Sequence, residues 1–234
     1  TESCEECFPF KDSPTVTWIN IDGLHDITVI KELGTCFGLS ALVQEDILHT
    51  GQRPKFENHD DYIFAILKMF NYNEENREVT AEQVSLILGP HFVISFQECE
   101  GDTFGFVRNR IRDSKGRMRR LGADYLFYAL IDSIIDNYFS ILERYGEELE
   151  ALEVILTENP TIETLHTIHH LKKELTILRK SVWPLREVIS TMEREETSLI
   201  SETMHVFIRD LYDHTIQIID SVDTMWEITT GLQD

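Results

Sequence analysis

The first 120 residues contain short runs of apolar and β-branched residues, the first of which alternates with polar positions, and such runs are typical of strands. The β-branched run 15–21 is the first of these, and 62–70, 83–88 and 92–96 follow. Apolar residues at helical spacing occupy three stretches of the same region: 26–37, 40–48 and 102–112. The pattern predicts a mixed α/β unit over residues 1–120.

From residue 123 onward the alternation gives way to long helical periodicity with little Gly or Pro. One helix is predicted over 124–157, and Asn159 and Pro160 are predicted to cap and begin a second that runs to about 192. Pro184 is expected to bend or break the second helix. A third helix is predicted to begin near residue 198. Residues 121–234 are therefore a second unit of three long helices.

The third helix carries a seam, meaning an apolar stripe at heptad spacing. Its members alternate by threes and fours along the helix: Leu211, Thr215, Ile218, Val222, Met225, Thr229 and Leu232. This spacing favours packing against a partner helix in an assembly, whereas an ordinary core helix is the alternative. Acidic residues and one His follow a neighbouring edge: Asp210, Asp213, His214, Asp220 and Asp223.

The chain has 42 acidic and 21 basic residues, a formal charge of −21. This balance argues against nucleic acid and anionic membrane surfaces, and it favours cations or basic proteins as partners. No apolar run reaches 18 residues, and no secretory signal opens the sequence. Cys4 and Cys7 form a lone CxxC without a second pair, so free thiols in a reducing cytoplasm are expected.

Two groups of carboxylates are candidate cation ligands. Asp132 and Asp136 are i, i+4 neighbours on an otherwise apolar stretch, where like charges need a bound cation or an Arg partner unless water solvates them. Glu45 and Asp46 end a short predicted helix. We find no nucleotide-binding loop, nucleophile elbow or catalytic triad in the sequence.

Two further clusters leave alternatives open. Three histidines on the second helix have a spacing that suits Zn²⁺ or Ni²⁺, although exposed, unliganded histidines are the favoured interpretation: His166, His169 and His170. The chain's one basic cluster is expected to pair with the acidic helices of the same molecule, with anion binding as the alternative: Arg108, Arg110, Arg112, Lys115, Arg117, Arg119 and Arg120.

Six segments, in order, resemble the cytoplasmic portion of CorA-type magnesium transporters. They are 44–55 (QEDILHTGQRPK), 62–70 (YIFAILKMF), 82–88 (EQVSLIL), 123–133 (ADYLFYALIDS), 183–187 (WPLRE) and 209–217 (RDLYDHTIQ). The resemblance covers residues 15–234. It implies an α+β or α/β fold in which an N-terminal α/β/α sandwich with a mixed sheet precedes two acidic helices and a stalk helix.

The same resemblance implies a function. The chain would be a non-enzymatic, metal-sensing cytoplasmic domain of a cell-membrane channel, and the channel would assemble as a homopentamer. The 234 residues are expected to stop before the membrane helices and the Gly-Met-Asn motif that follow the stalk in this family. Mg²⁺ between subunits would favour the closed state, with Glu45 and Asp46 on one side, Asp210 on the other and Asp132 nearby. Co²⁺ or Ni²⁺ are further transported ions to consider, and His214 would favour softer metals such as Co²⁺ or Zn²⁺.

Three alternatives stay open. A zinc-transporting relative would share the scaffold. A metal-dependent hydrolase would use Asp132, Asp136 and Asp210 in a pocket within one chain. A helical scaffold protein would use the seam of the third helix to bind a partner and would need no metal.

Overall fold

The computed structural model describes residues 4–73, 78–113, 116–158 and 161–232. Its strands form one five-stranded sheet with the order β1-β5-β4-β3-β2. The strands are β1 (Thr17–Asp22), β2 (Lys55–Asn58), β3 (Ile63–Asn73), β4 (Glu78–Leu88) and β5 (Phe92–Gln97). β1 and β5 are parallel and the other neighbouring strands are antiparallel, so the sheet is mixed, as expected.

Six α-helices accompany the sheet in the described residues. They are α1 (Ile27–Phe37), α2 (Ala41–Leu48), α3 (Gly105–Arg112), α4 (Ala123–Glu158), α5 (Ile162–Arg194) and α6 (His205–Gly231). Two short 3₁₀ helices, Cys4–Phe10 and Glu202–Met204, precede β1 and α6. At a rise of about 1.5 Å per residue, the 36 residues of α4 span about 54 Å.

Both faces of the sheet are covered because its strands alternate two sets of buried side chains. On β3, Phe64 and Ile66 contact the core under α1 and α2, whereas Ala65 and Leu67 contact the core under α3 and α4. Ile19 of β1 follows the first set. The chain therefore contains the expected α/β/α sandwich, which precedes the long helices. The division at residue 120 stays a prediction, since the core under α4 runs without interruption into α5 and α6.

The seam of α6 is buried inside its own chain. Leu211, Ile218 and Val222 are at most 1% exposed and belong to the core shared with α4 and α5. Met225 and Leu232 pack against the same core. The prediction that the seam is a surface for assembly was wrong, because the partner helices lie in the same chain.

Several boundaries differ from the predictions. β2 was not predicted, and β3 and β4 extend further because they pair with each other along their full lengths, from Ile63–Asn73 to Glu78–Leu88. α5 continues through Pro184 without a break, since buried Val182 and Leu185 anchor the helix on both sides of it.

The ends of α5 and α6 also differ from the predictions. The predicted cap of α5 at 159–160 lies outside the described residues. The observed cap is Thr161, which forms a capping box with Thr164. α6 begins at His205, seven residues later than predicted.

Candidate metal centre

Two carboxylates of α4 and one imidazole of α6 converge where these helices pack together. Asp132, Asp136 and His214 each offer one ligand atom, and these atoms lie within 4.8 Å of one another. The helix period explains the pair on α4, because residues four apart lie on one face. The ring of Phe139 contacts that of His214 edge-on at 5.8 Å and fixes the imidazole beside the carboxylates.

The charged forms of the two carboxylates in this centre are destabilised by their surroundings. Partial burial, followed by the charge of Asp136, raises the pKa of Asp132 from 3.8 to about 6, while His214 opposes the increase. Burial and Asp210 likewise raise the pKa of Asp136. The pKa of Tyr128 is raised by its burial and by Asp132. A cation at this position would offset the burial and the mutual repulsion of these carboxylates.

His214 has an unmet hydrogen-bonding requirement. Its Nδ1 is buried, and the described residues offer it no hydrogen-bond partner. Buried polar atoms normally have partners, and those without one need an explanation, such as an ion or water. Two carboxylates and an imidazole are a donor set that suits a divalent cation.

Asp210 lies one turn before His214 and is exposed on α6. It is close enough to raise the pKa values of Asp132 and Asp136, but it is not a member of the group of converging ligand atoms. The structure therefore brings predicted Asp132 and Asp210 into one neighbourhood with Asp136 and His214, which the sequence had also singled out for cation binding. The sequence signal for this site is the i, i+4 spacing of 132 and 136 on α4 and of 210 and 214 on α6, which places each pair on one face of its helix.

Glu45 and Asp46 lie at the end of α2, on the opposite side of the sheet from α4. Asp46 accepts hydrogen bonds of 2.6 Å from both Gln52 Nε2 and Lys55 Nζ, so its charge is balanced locally. Glu45 is exposed. Among the described residues, these two do not join the converging ligand atoms of α4 and α6.

The remaining sequence clusters do not form metal centres in the part of the chain that the structure describes. His166, His169 and His170 are exposed on α5, and His170 faces Glu174 at 3.6 Å. Cys4 donates a hydrogen bond of 2.8 Å to Glu32, which raises the pKa of the thiol to about 11.

The basic cluster pairs differently from the prediction. Arg108 forms its ion pair with Asp102, in the segment before α3, rather than with an acid of α4, α5 or α6. Arg117 lies over the ring of Phe207, with 5.1 Å between guanidinium and ring centroid. Among the described residues, no arginine of this cluster forms an ion pair with an acid of α4, α5 or α6, so the expected pairing with the acidic helices was wrong for them. Hydrogen bonds or ring contacts instead hold four of them: Arg108, Arg110, Arg117 and Arg119.

Comparison with known proteins assigns the family. The sequence profile described as "CorA-like Mg2+ transporter protein" matches residues 13–234. The chain belongs to this CorA-like family. It is 47% identical to the cobalt/magnesium transport protein CorA of Thermotoga maritima over 234 residues, which is 100% of this chain and 67% of that protein. A CorA of Methanocaldococcus jannaschii is 24% identical over 93% of this chain and 68% of its own length.

Solved structures of CorA-like proteins and their relatives share the fold. The soluble domain of CorA from Methanocaldococcus jannaschii matches with a TM-score of 0.80 and 24% identity, covering 93% of this chain and 86% of that one. The cytoplasmic domain of ZntB from Vibrio parahaemolyticus matches with a TM-score of 0.76 and 17% identity, covering 93% and 84%. Among the described residues, no helix is long and apolar enough to cross a membrane.

Proposed function

We propose that this chain is the cytoplasmic, metal-sensing part of a CorA-like divalent-cation channel. The observation that carries the proposal is the convergence of Asp132, Asp136 and His214, where both carboxylates have raised pKa values and the buried Nδ1 of His214 has no hydrogen-bond partner among the described residues. Such a group is destabilised without a cation and stabilised with one. Binding therefore favours whichever conformation brings the ligands together.

The donor set fits more than one ion. Mg²⁺ keeps much of its water and is held through one or two carboxylates, which Asp132 and Asp136 supply. An imidazole adds affinity for Co²⁺, Ni²⁺ or Zn²⁺ relative to Mg²⁺. We therefore expect Mg²⁺ to act as the regulatory ion at cellular abundance and Co²⁺ to bind more tightly to the isolated centre.

The full site is proposed to span two subunits of a homopentamer. The sheet separates α2 from α4 within one chain, so Glu45 and Asp46 would reach the acids of α4 and α6 only from a neighbouring copy. Asp210 is exposed and free to face that neighbour. Five copies at −21 carry −105, a repulsion that divalent ions between subunits would relieve. Mg²⁺ bound there would favour the closed channel.

The alternatives receive less support. The hydrolase alternative predicted that acidic residues converge within one chain, and Asp132 and Asp136 do so. It is less well supported because the relative that identifies the family is named as a transport protein. The scaffold alternative needed a free seam, which is buried. A zinc-transporting role rests on the likeness to ZntB, which concerns the fold alone.

Sedimentation velocity tests the proposal. We expect addition of Mg²⁺ or Co²⁺ to shift the chain to a larger species, with reversal by a chelator. Asp46→Asn on one side and Asp132→Asn on the other should each remove this response, whereas Asp213→Asn, an exposed charge-matched control on α6, should retain it. A sedimentation coefficient that is independent of metal in the unmodified chain would contradict the proposed shared site.

A further inference from the structure

A large open cavity lies beside the edge strand β1, apart from the four predicted metal ligands. It has a volume of about 910 Å³. β1, the segment before it, α3 and the segment 118–122 that leads into α4 form its walls. Its size falls within the range of about 300–1,000 Å³ that is usual for small-molecule sites.

The walls combine an apolar surface with an aromatic ring. Met118 and Leu126 are buried in the core, and Ile111 and Leu121 pack partly against it. Trp18 is fixed in place, since its Nε1 donates a hydrogen bond of 2.9 Å to Ser95 Oγ. This surface suits the organic part of a ligand rather than water alone.

Four arginines line the same cavity, and they differ in what holds them. Arg108 is neutralised, because both of its terminal nitrogens bind the carboxylate of Asp102. Arg119 Nε donates to the carbonyl of Ile111 at 2.8 Å, which fixes the loop against the end of α3.

The other two arginines are exposed and unpaired. The described residues provide no acidic partner for the side chains of Arg112 and Arg120, which border the cavity from α3 and from the segment before α4. Like charges that line one cavity without a counter-ion repel each other, and a bound anion reduces that repulsion.

This positive region stands out against the acidity of the whole chain. The net charge is −21, yet seven of the 21 basic residues fall between positions 108 and 120. A cleft lined by one sign of charge concentrates the field and attracts the opposite charge. Guanidinium groups pair with phosphate through two parallel hydrogen bonds, which makes phosphate a better match than a single carboxylate.

We infer that this cavity binds a small organic phosphate of nucleotide size. The phosphates contact Arg112, Arg119 and Arg120, and the ring system lies against the apolar wall near Trp18. The site would let a phosphorylated metabolite bind a domain whose other ligands are cations. This inference is independent of the proposed metal-sensing function, because none of the predicted or observed metal-centre residues lines the cavity.

Isothermal titration calorimetry on the 234-residue chain tests the inference. The probes are ATP, adenosine and inorganic tripolyphosphate, used with EDTA and low salt so that neither metal nor ionic screening decides the result. We expect ATP to bind at one site, more tightly than tripolyphosphate or adenosine. Arg112→Gln and Arg120→Gln should each weaken ATP binding about tenfold, the loss expected for one charge-assisted contact.

Two matched controls separate a site from a general charge effect. Arg110 lies on the same helix but borders a different cavity, and Arg194 is 68% exposed on α5. Arg110→Gln and Arg194→Gln should change ATP affinity less than about twofold. Circular dichroism confirms folding of each variant, which is expected because Arg112 and Arg120 are exposed.

Three results would overturn the inference. The first is ATP binding weaker than about 1 mM. The second is ATP binding that Arg112→Gln and Arg120→Gln leave unchanged or that the two controls weaken equally. The third is tripolyphosphate binding as tightly as ATP, which would show that the apolar wall contacts no ring.

Discussion

Replacing Asp132 by Asn should stabilise the metal-free chain. In the absence of a cation, Asp132 is partly buried beside Asp136, and its pKa is raised from 3.8 to about 6. Each pKa unit corresponds to about 1.4 kcal/mol, so the upper limit is about 3 kcal/mol. Solvent screening of a partly exposed group reduces this to a gain of about 1–2 kcal/mol in the free energy of unfolding.

The sign of the pH dependence follows from the direction of the shift. A carboxyl whose pKa is raised in the folded state contributes stability that is fully present below its unfolded pKa of 3.8 and is lost as pH rises through about 6. Asn does not titrate. The advantage of Asp132→Asn should therefore be small near pH 4, grow toward pH 6 and level off above about pH 7.

Urea denaturation at several pH values, in EDTA and in excess Co²⁺, measures both effects. Co²⁺ at about a hundred times its dissociation constant should stabilise the unmodified chain by about 2.7 kcal/mol, and Asp132→Asn should lose most of that gain. Asp213→Asn is the control and should change neither. Lower stability of Asp132→Asn than of the unmodified chain in EDTA at pH 8, or an undiminished response to Co²⁺, would contradict this prediction.

Three further predictions concern the scaffold. Glu82 is 6% exposed, and burial raises its pKa. The free energy of unfolding of the unmodified chain should therefore increase relative to that of Glu82→Gln as pH falls through this pKa, and denaturation at a series of pH values measures the difference. Leu211→Ala should cost about 2–5 kcal/mol of unfolding free energy, without dependence on protein concentration, because the seam is intramolecular. Tyr138→Phe should cost about 1–3 kcal/mol, since the carbonyl of Lys68 loses its buried hydroxyl partner; thermal unfolding checks this.

Much of the fold could be predicted from periodicity. The continuous apolar run of β3, which is buried on both faces, and the long periodicity of α4 follow from which side chains must be buried, so these elements are readable from the sequence. β2 was missed because its four residues, Lys55–Asn58, are all only partly buried and therefore show no clear alternation. It becomes a strand by pairing with β3, which is a tertiary interaction.

The candidate centre was only partly predictable for a similar reason. The spacing of Asp132 and Asp136 places them on one helix face, and Asp210 and His214 share another. Which helix faces meet is decided by packing across the whole core, and periodicity carries no information about it. The seam of α6 shows the same limit, because a heptad stripe is equally compatible with a partner in the same chain or in another.

The most direct test of the account is a crystal structure of the chain grown with Co²⁺ and measured at the cobalt absorption edge. We expect an anomalous peak bounded by Asp132, Asp136 and His214, with Asp210 beside it and with Glu45 and Asp46 of a second copy facing it. A fully occupied cobalt peak elsewhere, with none at this centre, would contradict the proposed metal-sensing role.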